Sequence, residues 1–325
     1  MANEGADPKL GEGPRAMAIL VPLFALALAV YALRIWTRAR PKYRLNASDY
    51  TVSIAVLAET IVLVLTAVAV ARGYGLPKKL LSPDNAETVG RTTFAVYMIA
   101  LWAAAFARIS VSCLLLNIAQ ERAWRIVLWG FIVIQALTLA AFDIIELVQC
   151  SPIRAMWAVV PNARCLNPDK VWIVVCFFAG IGTAGDVVCA VLPMLIIWRM
   201  SRSVVEKILV SILLGLGLLA GIGGVQKLVI LKSWDPFSPN ANRDIMNAFI
   251  WIRVEEITLI IGACAPPLKS FIERLLHRRF GFPQFDPAER GLDEVYTMPD
   301  SSSKPQRLLW DGSFQGSTSA ASSAR

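Results

Sequence analysis

Seven apolar runs follow one another along the chain, near residues 16–36, 50–71, 93–118, 125–149, 171–198, 208–231 and 247–271. A helix needs about 20 apolar residues to cross about 30 Å of hydrocarbon, and each run supplies them. Barrel strands would alternate polar and apolar positions over about ten residues, whereas these runs are longer and apolar throughout. The pattern predicts an all-α membrane protein, a seven-transmembrane helical bundle. Residues before Met17 are polar and carry Glu4, Asp7 and Glu12, so the first run reads as a full span rather than as a signal peptide. Residues 1–15 are then an extracellular N-terminal segment and 16–275 the bundle. Residues 276–325 read as a disordered cytoplasmic tail, because after Pro283 serines are scattered among Gly, Pro and Asp. No internal repeat marks the two halves of a transporter.

Composition agrees with the pattern. The 325 residues are 56% hydrophobic, with a mean hydropathy of +0.56, above the roughly 45–50% apolar share of soluble domains. The net charge of +8 alone would admit nucleic acid as a partner. However, the Lys and Arg residues cluster between apolar runs, where they set topology, and no nucleic-acid motif accompanies them. The loops holding Arg38 to Arg44, Arg122 and Arg125, Arg199 to Lys207, and Arg274 to Arg279 are the denser basic set and read as cytoplasmic. The N terminus is then outside and the C terminus cytoplasmic. The loop from Cys150 to Cys165 falls outside too, where a disulfide persists, and it is short enough for those cysteines to bridge. Asn46-Ala47-Ser48 has the form of a glycosylation sequon but falls on the inner side, so it reads as a chance tripeptide.

Ionisable residues inside the runs are the candidate chemistry. Glu59, Arg108 and Asp186 fall near mid-membrane, and Asp143, Glu146, Lys227 and Glu255 toward the outer third. A charge in hydrocarbon costs about 2.5–3.5 kcal/mol on insertion scales, so these groups should face the bundle interior and pair. The expected pairs are Arg108 with Asp186 or Glu59, and Lys227 with Glu255 or Asp143. Together they would line a ligand pocket open to the outside, or simply fix helix register. Pro193 in the fifth run and Pro266-Pro267 in the seventh should bend their helices, and five glycines from Gly215 to Gly224 should let the sixth pack closely. Cys113, Cys176, Cys189 and Cys264 read as small core residues. The lone histidine, His277, lies beyond the seventh run, so a histidine metal site or triad has no material in the bundle. Gly73-Tyr74-Gly75 lacks the strand and the helix-start glycine of a dinucleotide loop.

Several of these residues, in their order, resemble the fungal rhodopsin-like integral membrane proteins. The resemblance rests on Asp49-Tyr50, Gly73-Tyr74-Gly75, Arg108-Ile109-Ser110, Gln149-Cys150-Ser151-Pro152 with Trp157 and Cys165, Asp186 before Pro193, Lys227, and Trp251 with Glu255, Cys264 and Pro266. It covers residues 20–275. It implies a fungal seven-helix protein of the plasma membrane or an endomembrane, in a family with receptor-like members and members encoded beside secondary-metabolite genes. The chain departs from the pattern at Arg108, where relatives often carry Lys, at Lys227, where they often carry Arg, and at Pro77, where a His is frequent.

The family name raises retinal, which needs a lysine in the seventh helix facing the pocket. Lys269 lies near that helix's inner end and Lys227 is on the sixth, so no cofactor is expected. The first functional expectation is a receptor-like sensor of a small extracellular ligand, with the lipid bilayer around it and a cytoplasmic signalling partner. The alternative is a membrane-embedded enzyme of secondary metabolism, in which Asp186, Glu255 or Glu59 is a buried acid of raised pKa. A transporter or a structural membrane partner ranks behind both.

Overall fold

The computed structural model describes residues 11–39, 45–77, 80–119, 121–158, 160–198, 241–265 and short pieces between 215 and 230. They form six long helices: α1 (Glu12–Ala39), α2 (Ala47–Ala71), α3 (Pro83–Ile118), α4 (Arg122–Val148), α5 (Pro168–Trp198) and α6 (Ala241–Cys264). Among the described residues, α1 to α5 are long and apolar enough to cross a membrane. Helix α6 occupies the seventh apolar run, with Arg243, Asp244, Arg253, Glu255 and Glu256 along it. Most of the sixth run lies outside the described residues, of which 221–226 are helical.

Two boundaries differ from the expected ones for local chemical reasons. Helix α3 starts at Pro83, ten residues before the apolar run. Ser82 caps it, its side chain accepting from the Asn85 N–H, and Pro83 takes the first turn, where a missing N–H costs nothing. Its 36 residues reach about 54 Å, so its polar first turns stand clear of a hydrocarbon layer of about 30 Å. Helix α6 (Ala241–Cys264) starts six residues before the run at 247–271, whose residues after 265 lie outside the described ones. Its end fits Pro266, which lacks an N–H and disfavours helical geometry in the residue before it. The expected bend at Pro266-Pro267 lies outside the described residues, while Pro193 sits inside α5 without ending it.

Helix α3 is the hub, packing against α2, α4, α5 and α6, while α1 lies on α6 and α2. Lipid offers no hydrophobic drive between helices, so close packing must come from small residues. Ala100, Ala103, Ala104, Ala105 and Ala107 on α3 are all buried. The apolar core joins Leu20 and Phe24 of α1, Val52 of α2, Ala107 of α3, and Ile257 and Ile260 of α6. Large apolar side chains of α4, including Ile126, Leu137, Ile144 and Val148, stay exposed, as a lipid-facing helix requires.

One end is fastened by Arg34, which is fully buried. Its Nε and Nη2 donate to Asp49 Oδ1 at 2.9 and 2.7 Å, Nη2 also to Ser48 Oγ at 2.5 Å, and Nη1 to the Ala263 carbonyl at 2.6 Å. Three helices, α1, α2 and α6, thus share one guanidinium. Asp49 also accepts from the Asn46 N–H at 3.0 Å, which starts α2. At the other end a two-residue strand pair, β1 (Cys150–Ser151) and β2 (Arg164–Cys165), sets Cys150 opposite Cys165, and the expected disulfide joins them. The bridged loop rests on the protruding turns of α3. Trp157 stacks at 5.4 Å from Phe94, and Arg154 donates to Glu87 at 2.9 Å. A Cβ at Gly90 would come within 2.9 Å of the Trp157 side chain, so only glycine admits it.

Replacing Arg34 by Ala leaves Asp49 buried without its main cation, and about 3 kcal/mol of stability is expected to go. Arg38 reaches Asp49 from a partly buried position at 3.2 Å and makes one bond to it where Arg34 makes two, so Arg38→Ala should cost less than Arg34→Ala. Denaturation midpoints of both variants in lipid nanodiscs check the contrast; equal losses would remove the three-helix role of Arg34.

Candidate functional site

Beneath the bridged loop, α3, α4, α5 and α6 line a cavity of about 960 Å³. Its walls are largely apolar, with aromatic rings from α3, α4, α5 and α6 among them. Phe142 of α4 meets Phe178 of α5 at 4.9 Å and Tyr97 of α3 at 5.6 Å, both edge to face, the arrangement the ring quadrupole favours. Tyr74, in the turn after α2, meets Phe249 of α6 edge to face at 5.7 Å. That turn depends on Gly73 and Gly75, whose φ angles of +100° and +93° are strained for other residues. Burial pushes the Tyr74 phenol well above its ordinary pKa, and Arg253 draws it back only in part, so the hydroxyl stays neutral. The glycine pair is therefore a backbone device that delivers Tyr74 to the cavity.

The floor is charged. Arg108 of α3 donates from Nε to Asp186 Oδ1 of α5 at 2.7 Å, and its Nη2 lies 3.9 Å from Glu255 Oε1 of α6. Arg253 of α6 donates from Nη1 to Glu59 of α2 at 3.2 Å and contacts Glu256 through Nη2. Gly185 of α5 makes the first pair accessible, since a Cβ there would lie 2.8 Å from Gln135 Nε2 and 3.5 Å from Arg108 Cδ. Four helices are thus bound by two guanidiniums and four carboxylates. Desolvation of each ion costs several kcal/mol, so the cluster persists only while every charge keeps its partner. Higher on the wall, Gln149 Nε2 donates to Glu146 Oε2 at 2.5 Å, placing a buried carboxylate at the cavity near the bridged loop.

The structure sorts the sequence candidates. Arg108, Glu146 and Glu255 line the cavity, while Asp186 and Glu59 stand behind it as partners of its two arginines. Of the two acids expected for Arg108, Asp186 is engaged, and Glu59 belongs to Arg253 instead. Asp143 leaves the site, since its Oδ2 accepts from the half-exposed Trp102 indole at 2.9 Å, away from the cavity. Lys227 lies outside the described residues. Arg253 and Glu256 were not expected. Their signal was present in Arg253-Val254-Glu255-Glu256, three charges within four residues of an apolar run, where a cation beside two acids already implies an internal pair. Among the described residues no group of His, Cys, Asp and Glu could hold a metal ion.

The membrane-length helices and buried charges define a multi-pass helical membrane protein. Residues 33–274 match the fungal rhodopsin domain, and the chain belongs to that family. It is 26% identical over 162 residues to the fugralins biosynthesis cluster protein 2 of Gibberella zeae, a match spanning 47% of this chain and 39% of that relative's length. It is 23% identical over 275 residues to the polyenoic acids biosynthesis gene cluster protein Ba17b of Metarhizium anisopliae, covering 80% of this chain and 73% of the relative.

Arg108→Met should cost about 3–5 kcal/mol by stranding Asp186. The double variant Arg108→Met/Asp186→Asn should recover at least about 1 kcal/mol of that loss, because the stranded charge is gone. Thermal unfolding of the single and double variants gives the coupling; strictly additive losses would mean that the two groups do not act as a pair.

Proposed function

We propose that this protein is a receptor-like sensor tied to secondary metabolism, with a lipophilic metabolite as its ligand. The observation that carries the reading is the cavity, whose size is at the upper end of the roughly 300–1,000 Å³ of small-molecule sites and whose walls are apolar, with aromatic rings, above a polar floor. The cluster-encoded relatives support the link to a biosynthetic pathway. In this reading the chain crosses the membrane seven times, with the N terminus and the bridged loop outside and the C-terminal tail in the cytoplasm of a fungal cell. The ligand sits beneath the loop and the signalling partner meets the opposite end. A ligand shifts a helical equilibrium only by its differential affinity for two states. The ion cluster offers such a lever, because a ligand touching Arg108 or Arg253 acts on α2, α3, α5 and α6 together.

An embedded enzyme is the second reading, and Glu146 is the observation that favours it. This buried acid faces the cavity with an amide, Gln149, as its hydrogen-bond partner, whereas the floor carboxylates are held by arginines. Such an acid suits proton transfer to a lipophilic substrate.

The two readings separate in one strain set. Deleting the gene should leave the pathway's chemical steps intact and change the transcriptional response to its product. Accumulation of a precursor, restored to product by the wild type and not by Glu146→Gln, would replace the sensor with the enzyme. In nanodiscs, Ala104→Phe, which fills the cavity wall, should lower affinity for the pathway's lipophilic products by at least about tenfold.

A further inference from the structure

Resting on the reading of the cavity as a small-molecule site, we infer that its ligand is uncharged at the buried end, with a hydroxyl or carbonyl oxygen that accepts from Arg253. The inference begins with an unused donor. Arg253 is 2% exposed and lines the cavity. Its Nη1 is engaged by Glu59 and its Nη2 by Glu256, whereas its buried Nε–H has no hydrogen-bond partner among the described residues. A buried donor left unpaired costs about 1–3 kcal/mol, which an acceptor oxygen from a ligand would return. The apolar walls above it leave the remainder of the ligand apolar.

Charge decides which oxygen. A carboxylate is the obvious guest for a cavity floored by arginine, but both guanidiniums are already bound to acids of the protein. Among the described residues four carboxylates, Glu59, Asp186, Glu255 and Glu256, surround the two arginines. An anionic head would have to displace Glu59 or Glu256 and strand it, or else enter as a further negative charge. A cationic ammonium head fares no better for this contact, because it has no lone pair to accept from the Arg253 Nε–H. A neutral acceptor needs no displaced ion. It also meets a neutral neighbour in Tyr74, which lines the same end of the cavity on Phe249.

Four polyenes with one chain test this: parinaric acid, its methyl ester, parinaryl alcohol and the oxygen-free octadecatetraene. Binding to the full-length protein in nanodiscs at pH 8 is read from polyene fluorescence, corrected with empty nanodiscs and with Ala104→Phe. The alcohol and the ester are expected to bind about tenfold more tightly than the acid anion and about tenfold more tightly than the hydrocarbon. Arg253→Lys keeps the positive charge for Glu59 but has no Nε–H, and it should bring the alcohol to the level of the hydrocarbon. An acid that binds as tightly as the alcohol overturns the inference and leaves the small-molecule reading intact. A hydrocarbon equal to the alcohol removes the oxygen contact even if Arg253→Lys fails to fold. If none of the four binds beyond both controls, the small-molecule reading falls and this inference with it.

Discussion

A charge placed in a bilayer must find its counter-charge inside the protein, and this requirement organises the bundle. Arg108 with Asp186 and Arg253 with Glu59 join helices far apart in sequence, and Arg34 with Asp49 joins the consecutive α1 and α2, at N–O distances of 2.7, 3.2 and 2.7 Å. Apolar burial does not assign neighbours among these helices, because lipid solvates a leucine as well as a helix does. An ion pair does assign them, because the alternative is an unpaired ion in hydrocarbon. The pairs therefore act as specificity devices first: α1, α2 and α6 are joined at one end, and α2, α3, α5 and α6 deeper in.

Such fastening leaves space elsewhere. Where α3, α4, α5 and α6 meet beneath the bridged loop, the ion pairs among the described residues lie at the floor, and apolar side chains with aromatic rings line the walls. The loop is held by a disulfide to itself and by Trp157 and Arg154 to the protruding turns of α3. The length of α3 and the glycine at position 90 are thus part of the site, although neither touches its floor. Tyr74 shows the same economy, since two glycines of left-handed backbone exist to aim one phenol.

Much of this was legible in the sequence, and the gaps have identifiable causes. The apolar runs located α1 to α5 because hydrophobic length is what a bilayer selects. They missed the first ten residues of α3, since a helix that leaves the membrane is no longer required to be apolar and its start was written in Ser82-Pro83 instead. Depth could be counted from the run boundaries, so Arg108 and Asp186 were placed together correctly. Facing could not, because spans apolar on every side carry little amphipathic signal. Asp143 was therefore grouped with the cavity acids although its face of α4 turns toward Trp102. The partner of Arg253 is hidden in the same way, since a residue's partner in a fold is set by rotation about the helix axis rather than by distance along it.

The same cluster bears on why a ligand would matter to this protein at all. A purely structural ion network is complete when its hydrogen bonds are complete, and the Arg34 site comes close to that state: Nε, Nη1 and Nη2 all donate. The Arg253 site stops one bond short, with its Nε–H buried at the edge of the cavity and its terminal nitrogens already committed to α2 and α6. An oxygen placed there polarises the guanidinium that Glu59 and Glu256 share, and low surrounding polarity makes each bond sensitive to the others. Occupancy of the cavity would then be felt at the junction of α2 and α6, the two helices that Arg34 joins again at the opposite end. Among the described residues, an oxygen in the cavity would add the bond that the Arg253 Nε–H lacks.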